Sequence, residues 1–261
     1  MLSSEQVETY QRDGYLLVEK MFDDEEAGLL RRASREDPAM AKRAVLRDDG
    51  EGGQSKITLW NMAGDDLFSL FSRSERMVDA MDQLLGGESY HWHSKMMQKE
   101  ARGGGAWVWH QDYGYWYNDA CLFPYLASCF VAIDPSTREN GCLQVLKGSH
   151  HLGRIDHMKV GQQVGADPDR VKEAEKLLEL VYVTMNPGDG LFFHCNLLHR
   201  SDQNTSDMPR WALISCFNRR DNSPYRKVSH PEYSPVERVP DGAIKEAGLR
   251  FIAEENEFLP D

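Results

Sequence analysis

The sequence predicts a mainly β core flanked by helices. Three observations lead to this fold class. Short runs rich in aromatic and β-branched residues fill the middle of the chain, turns containing glycine or asparagine separate them, and helix-like segments lie on either side. We find no internal repeat and no low-complexity linker, which favours a single domain over 1–261. We expect a helical part over about 1–90, a β-barrel core over about 91–220, and a C-terminal tail and helix over about 221–261.

The N-terminal part carries signals for three helices. Ser3 or Ser4 can cap a first helix that stops at Asp13-Gly14, and YLLVEKMF then predicts a strand. The segment DDEEAGLLRRASRE begins acidic and becomes basic, which suits the dipole of a helix. SERMVDAMDQLLGG predicts a third helix, with Ser74 as its N-cap and a glycine pair at its end.

Eight short segments predict the strands of the core. They are HSKMMQKE, AWVWHQDY, ASCFVAID, GCLQVLKG, LELVYVTM, GLFFHC, NLLHRSDQ and WALISCFN. The turns RGGG, ENG and NPGDG separate several of them, a pattern typical of an all-β sandwich or barrel. DPDRVKEAEKLLEL predicts a helix inside this part, and DGAIKEAGLRFIAEENEF predicts one after it.

Charge and cysteine content limit the partners and the compartment. A net charge of -12 disfavours binding to a nucleic-acid backbone or to an anionic membrane surface. No apolar run approaches the roughly 20 residues of a membrane span, and the N-terminus lacks the pattern of a signal peptide. The five cysteines include no C-x-x-C pair, which favours reduced thiols. We therefore expect a cytoplasmic protein with a small-molecule substrate; its oligomeric state stays open.

A histidine and a carboxylate stand two residues apart in VWHQD. If this segment ends a strand, His110 and Asp112 point to the same face. Imidazole and carboxylate groups are both metal ligands. The pair alone carries little weight, because an aspartate beside a hydrogen-bonded histidine is common without any metal.

The segment NPGDGLFFHCNLLHRSDQNTSDMPRW adds the remaining groups. His194 and His199 are five apart and cannot share a face of a regular strand, so at most one is expected to bind a metal. Ser201 can share a face with His199, and Arg210 begins the next predicted strand. Two histidines and one carboxylate would form the facial triad of non-haem Fe(II) oxygenases. Three positions would stay open for a 2-oxoacid and O2, and an arginine suits the far carboxylate of that acid.

In combination these segments resemble the phytanoyl-CoA dioxygenase-like family of Fe(II)/2-oxoglutarate-dependent oxygenases. The resemblance rests on WHQDYGYW, ENGCLQVLKGSH, PGDGLFFHCNLLHRSDQN and Arg210, with YQRDGYLLVEKMFDDEE at the start, and covers about residues 5–220. It implies a double-stranded β-helix, the jelly-roll or cupin-like barrel. It also implies roles for five residues: His110, Asp112 and His199 as iron ligands, and Arg210 with Ser201 around the C5 carboxylate of 2-oxoglutarate.

The resemblance further implies a hydroxylase, since related halogenases carry a small residue where Asp112 stands. Many members have tryptophan where this chain has Phe130, which concerns the shape of the cofactor pocket. Gln98 is a candidate hydrogen-bond partner of 2-oxoglutarate, as an amide on this strand is in some relatives. We expect Lys95 and Lys99 on the same strand to be solvated, and the glycines of RGGG to let a loop bend beside the site.

The substrate is predicted only by class. We see no dense stripe of basic residues for the phosphates of a CoA ester, and aromatic residues flank the predicted iron ligands. A compact polar metabolite is favoured, such as an amino acid, a betaine or an aminophosphonate. The alternatives are desaturation, epoxidation or demethylation at the same site, and a non-catalytic binding barrel. A metal-binding storage cupin would have more histidines inside the barrel and no need for Arg210.

Overall fold

The computed structural model describes residues 1–254. In this part of the chain the α-helices are α1 Ser4–Asp13, α2 Asp24–Glu36, α3 Pro38–Lys42, α4 Leu67–Arg73, α5 Glu75–Leu85, α6 Asp112–Trp116, α7 Pro168–Leu177 and α8 Ala243–Glu254. The strands are β1 Tyr15–Val18, β2 Val45–Asp48, β3 Gln54–Trp60, β4 Ser89–Lys99, β5 Trp107–His110, β6 Leu126–Ala132, β7 Leu143–Leu146, β8 His157–Val160, β9 Gln163–Ala166, β10 Leu180–Val183, β11 Gly190–His194, β12 His199–Ser201 and β13 Arg210–Arg219. The predicted C-terminal helix is thus present over Ala243–Glu254, and its last expected turn, 255–258, lies outside the described residues.

Two antiparallel sheets form the core. The larger sheet has the order β1-β11-β6-β13-β4-β3-β2, and the smaller has the order β10-β7-β12-β5. A separate hairpin pairs β8 with β9. This crossing strand order is the jelly-roll predicted from the sequence.

Strand β6 shows how the larger sheet separates its two faces. Ala127, Cys129 and Val131 belong to the apolar cluster that includes helices α1, α2, α4, α5 and α8. Leu126 and Phe130 belong instead to the cluster between the two sheets. Because successive side chains on a strand point to opposite faces, the helices cover one face and the other lines the barrel interior.

The predicted ends of α1 are both confirmed, whereas those of α5 are confirmed only in part. Ser3 caps α1 in a capping box with Gln6, and Gly14 ends that helix in the left-handed conformation. Ser74 occupies the N-cap position of α5, but its hydroxyl donates to the carbonyl of Phe71 at 2.9 Å and does not cap the helix. A residue at a cap position therefore need not supply the cap bond.

Two strands lie in the part of the chain that was expected to be helical. Strands β2 and β3 extend the larger sheet beyond β4 at its edge. All four residues of β2 are exposed. The sequence of this strand, VLRD, therefore lacks the repeated alternation of apolar and polar residues by which a half-buried strand is predicted. The β8–β9 hairpin was likewise not predicted. Among the described residues, no helix is long and apolar enough to cross a membrane.

Candidate metal centre and cofactor pocket

Two adjacent strands bring the two histidines together. His199 on β12 pairs with His110 on β5, and their ring centroids lie 4.0 Å apart. Asp112 is not on the strand as expected, because β5 ends at His110 and Asp112 is the first residue of α6. One ligand atom from each residue lies within 4.8 Å of the other two, the only such histidine, cysteine or carboxylate group found within residues 1–254.

Backbone carbonyls set the orientation of both imidazoles. The Nδ1 atom of His110 lies 2.7 Å from the carbonyl oxygen of Val108, and Nδ1 of His199 lies 2.9 Å from that of Leu197. A carbonyl only accepts hydrogen bonds, so each Nδ1 carries the proton and each Nε2 keeps its lone pair for a metal. Burial lowers the pKa of both histidines, which keeps them neutral at physiological pH.

Asp112 is held as a carboxylate. Burial raises its pKa, but Lys95, followed by His199, outweighs that effect and brings the pKa to about 2. Ser128 donates to its Oδ2 at 3.0 Å, and the Nζ of Lys95 lies 3.9 Å from Oδ1. Lys95 was expected to be solvated; its side chain instead faces the barrel interior and is 20% exposed.

The donor set suits a divalent iron. Two neutral imidazole nitrogens and one carboxylate oxygen lie within 4.8 Å of one another, and this is the donor set of the facial triad of non-haem Fe(II) centres. The three residues line a cavity of about 440 Å³, within the size range of small-molecule sites. Its wall includes Trp107, Tyr115 and Trp116.

A buried arginine lies at another part of the same cavity. Arg210, the first residue of β13, is 2% exposed, and its Nε has no hydrogen-bond partner among the described residues. Burial lowers its pKa to about 10, so the guanidinium stays charged at neutral pH. Ser201 also lines this cavity and is 3% exposed. A buried cation with an unused donor suits a carboxylate that enters from the cavity.

Comparison with known proteins now gives the family. The family model described as Phytanoyl-CoA dioxygenase (PhyH) matches residues 10–212. The chain belongs to the phytanoyl-CoA dioxygenase family. It is therefore an Fe(II)- and 2-oxoglutarate-dependent oxygenase that uses O2, as the sequence predicts.

Several similar proteins have named activities. The chain is 31% identical to an ectoine dioxygenase of Bordetella parapertussis over 248 residues, which covers 89% of this chain and 79% of the relative. It is 28% identical to an L-proline trans-4-hydroxylase of Streptomyces griseoviridis, covering 85% and 88%. A crystal structure of EctD from S. alaskensis with 2-oxoglutarate and 5-hydroxyectoine shares the fold: TM-score 0.73, 24% identity, coverage 94% and 86%.

In the structure, Gln98 does not line the cavity that contains the candidate metal ligands. On β4 the side chains of His93, Lys95 and Met97 line the cavity, so the residue between Met97 and Lys99 points to the opposite face. Gln98 lies there, beside Trp211 in a separate surface pocket. The two-residue period of the strand thus corrects the expectation that Gln98 contacts 2-oxoglutarate.

Lys99 is a buried residue next to this cavity that the sequence analysis missed, and it bonds to Ser201 in the cavity wall. It was expected to be solvated but is 1% exposed, and it pairs in register with Arg210 on the neighbouring strand. Gly104 of RGGG makes room for it, because a Cβ at this position would lie 2.1 Å from the Lys99 Cγ. This glycine allows close packing over a buried lysine. The sequence held one indication of this burial. Lys99 follows Met97 by two residues, so the two side chains lie on the same face of the strand.

Proposed function

We propose that this chain hydroxylates a C–H bond of a small polar metabolite and converts 2-oxoglutarate to succinate and CO2. One observation carries the proposal: a facial group of His110, Asp112 and His199 opens into the same cavity as the buried cation Arg210. We assign the three residues to iron, and Arg210 with Ser201 to the C5 carboxylate of 2-oxoglutarate. Iron bound there would supply the activation of O2, while the protein binds, orients and excludes water.

The dimensions and charges of the cavity support a compact substrate. A volume of about 440 Å³ must also accept 2-oxoglutarate, which leaves space only for a small molecule. Lys95 and Asp119 both line the cavity and carry opposite charges, and His230 lies beside Asp119 with 3.5 Å between Nδ1 and Oδ2. This favours a substrate that carries both a negative and a positive charge, such as an amino acid or a betaine.

Other oxidative outcomes on the same site remain the second candidate. A structure described as a non-heme alpha ketoglutarate dependent carbocyclase, SnoK, shares this fold with a TM-score of 0.65 at 20% identity. The fold alone therefore does not determine the outcome. The carboxylate of Asp112 favours hydroxylation over halogenation, because it occupies the position at which a halide would bind the metal.

A substrate screen tests the proposal. The iron-loaded protein is incubated with 2-oxoglutarate, O2 and one candidate: L-proline, ectoine, glycine betaine or an aminophosphonate. We expect at least one of them to increase succinate release and to gain one oxygen atom by mass spectrometry. A product that has lost two hydrogens would contradict hydroxylation and establish desaturation. The variant Asp112→Ala is the matched control and should give no product.

We also propose that residues 1–261 form one domain in the cytoplasm, without a nucleic-acid partner. The five cysteines of the chain are all free and buried, as expected of a reducing compartment. The net charge of -12 disfavours a polyanionic partner.

A further inference from the structure

The cavity has a second polar end, remote from Arg210. On β4 the side chains of His93 and Lys95 line the cavity, and Lys95 lies beside the candidate metal ligand Asp112. His93 stands six residues before Lys99, the residue that pairs with Arg210, and this spacing is roughly 20 Å along an extended strand. Because Lys95 lies between these two positions, the metal group separates Arg210 from the region around His93.

Three side chains from separate parts of the chain meet at this remote end, which we call the acceptor end. They are His93 on β4, Asp119 after α6, and His230 in the segment between β13 and α8. Nδ1 of His230 lies 3.5 Å from Oδ2 of Asp119, and the ring centroids of His93 and His230 are 5.2 Å apart. All three residues line the cavity that contains the candidate metal ligands, so a ligand in that cavity can contact them.

Aromatic packing fixes the two imidazoles of the acceptor end. The ring of His230 stacks on the buried indole of Trp92, with centroids 4.4 Å apart and planes 7° from parallel. The ring of His93, which is 3% exposed, packs edge-on against Trp116 at 5.5 Å. Both rings are therefore oriented before a ligand enters, which limits the entropy that is lost on binding.

The acceptor end has a carboxylate without a matching cation. No lysine or arginine of residues 1–254 forms an ion pair with Asp119, and the neighbouring cation Lys95 faces Asp112 at 3.9 Å. Burial lowers the pKa of His93 and of His230, which keeps both rings neutral at physiological pH. A neutral imidazole keeps one acceptor nitrogen, and Nδ1 of each ring has no hydrogen-bond partner among the described residues. This end therefore offers acceptors that need a donor from a ligand.

We propose that the acceptor end binds the cationic group of the substrate through N–H bonds, so that the substrate is a zwitterion with an N–H-bearing cation, such as an amino acid, and not a quaternary betaine. This inference rests on the proposed function and narrows its substrate class. A cation with N–H bonds can donate to Asp119 and to the ring acceptors together. A quaternary ammonium has no N–H bond, so it would leave these acceptors buried without a donor.

The test compares N–H-bearing zwitterions with their fully N-methylated derivatives. The parent compounds are L-proline, L-valine, γ-aminobutyrate and ectoine, and the protein is loaded with Fe(II) and 2-oxoglutarate without O2. Formation of the metal-to-ligand charge-transfer band is checked first, and dissociation constants are then measured by isothermal titration calorimetry. The variants are Asp119→Asn and His230→Phe, which keeps an aromatic ring beside Trp92 and removes the acceptor. Asp24→Asn, which removes an 87% exposed carboxylate on α2, is the matched control.

We expect the compound that binds most tightly to carry N–H bonds and to bind about 10-fold or more tighter than its methylated derivative, or about 1.4 kcal/mol. His230→Phe should weaken that compound about 10-fold and leave the methylated derivative unchanged, so the preference narrows. Asp119→Asn should weaken both compounds, since both carry the positive charge that the carboxylate attracts. Asp24→Asn should change neither affinity.

Three results would overturn the inference while leaving the proposed function intact. The first is a methylated derivative that binds as tightly as its parent, since the aromatic wall of the cavity would then hold the cation. The second is an unchanged preference in His230→Phe, and the third is no binding of any compound although the band forms. If a variant fails to fold, the preference of the wild type still decides. Absence of the band in the wild type would refute the proposed function itself.

Discussion

Replacing Arg210 by methionine should separate stability from cofactor binding. The guanidinium is 2% exposed, and its Nε is unpaired in the described part of the chain. If Arg210 serves to bind the carboxylate of 2-oxoglutarate, the free-energy cost of burying its charge is not compensated in the protein without 2-oxoglutarate. Arg210→Met, which replaces the aliphatic part of the side chain and removes the guanidinium, should then leave the metal-free protein at least as stable as the wild type.

The magnitude follows from burial. The pKa of Arg210 falls to about 10 from an ordinary value above 12, and each pKa unit corresponds to 1.36 kcal/mol, so burial disfavours the charged form by roughly 3 kcal/mol. Methionine removes this penalty and the repulsion with Lys99. The expected change in the free energy of unfolding therefore lies between zero and roughly +3 kcal/mol.

A second buried arginine provides the control. Arg73 is 5% exposed, but it donates to the carbonyls of Glu237 and Gly64 at 2.7 and 2.6 Å and to Asp65 at 2.7 Å. Arg73→Met loses these charged hydrogen bonds and should lower the free energy of unfolding by about 3 kcal/mol or more.

Urea unfolding of the metal-free proteins, followed by circular dichroism, measures both changes. Adding saturating 2-oxoglutarate to the Fe(II)-loaded proteins, without O2, should further stabilise the wild type and Arg73→Met but should stabilise Arg210→Met much less. A loss of stability in Arg210→Met as large as that in Arg73→Met would refute the reasoning, since Arg210 would then be a structural residue.

Three further predictions concern the metal centre, the substrate region and buried histidines. Ser128→Ala removes the hydrogen bond to Asp112 and should weaken Co(II) binding, measured by visible spectroscopy, about 10- to 100-fold; unchanged affinity would contradict the orienting role. Asp119→Asn should raise the KM for the substrate that the screen identifies and leave 2-oxoglutarate affinity unchanged, and a loss of cofactor affinity would place Asp119 elsewhere. Burial lowers the pKa of His91 to about 4 and that of His194 to about 3, so the unfolded state gains protons first as pH falls below about 6.5. Stability should therefore fall by about 1.4 kcal/mol per histidine between pH 7.5 and 5.5, and His194→Gln should lose correspondingly less; a flat profile in urea unfolding would count against this.

The strands and the residues of the candidate metal centre could be predicted because both are local patterns. Each of the eight segments predicted as core strands overlaps an observed strand, and His199 and Ser201 both lie on β12 as expected. The prediction that Asp112 lies beside His110 and His199 is confirmed, but the predicted reason, a shared strand face, is wrong. Its carboxylate reaches the site because the chain turns into α6. The two-residue repeat of side-chain direction along a strand does not reveal such a turn.

Gln98 and Lys99 show where the sequence is insufficient. Which of two neighbours on a strand faces the barrel depends on register, and the register of β4 is set by its pairing with β13, more than a hundred residues later. A lysine on a strand is also more often solvated than buried, by average behaviour. The 1% exposure of Lys99, its pairing with Arg210 and its bond to Ser201 show that it lies inside the fold.

Anaerobic titration tests the central claim most directly. The metal-free protein receives Fe(II) and then 2-oxoglutarate, while the visible metal-to-ligand charge-transfer band is recorded in the wild type and in His199→Ala. We predict that the band forms in the wild type and is lost in the variant, because His199 is one of the three proposed iron ligands. Iron binding without a band in the wild type, or a full band in His199→Ala, would contradict the assignment of this cavity to iron and 2-oxoglutarate.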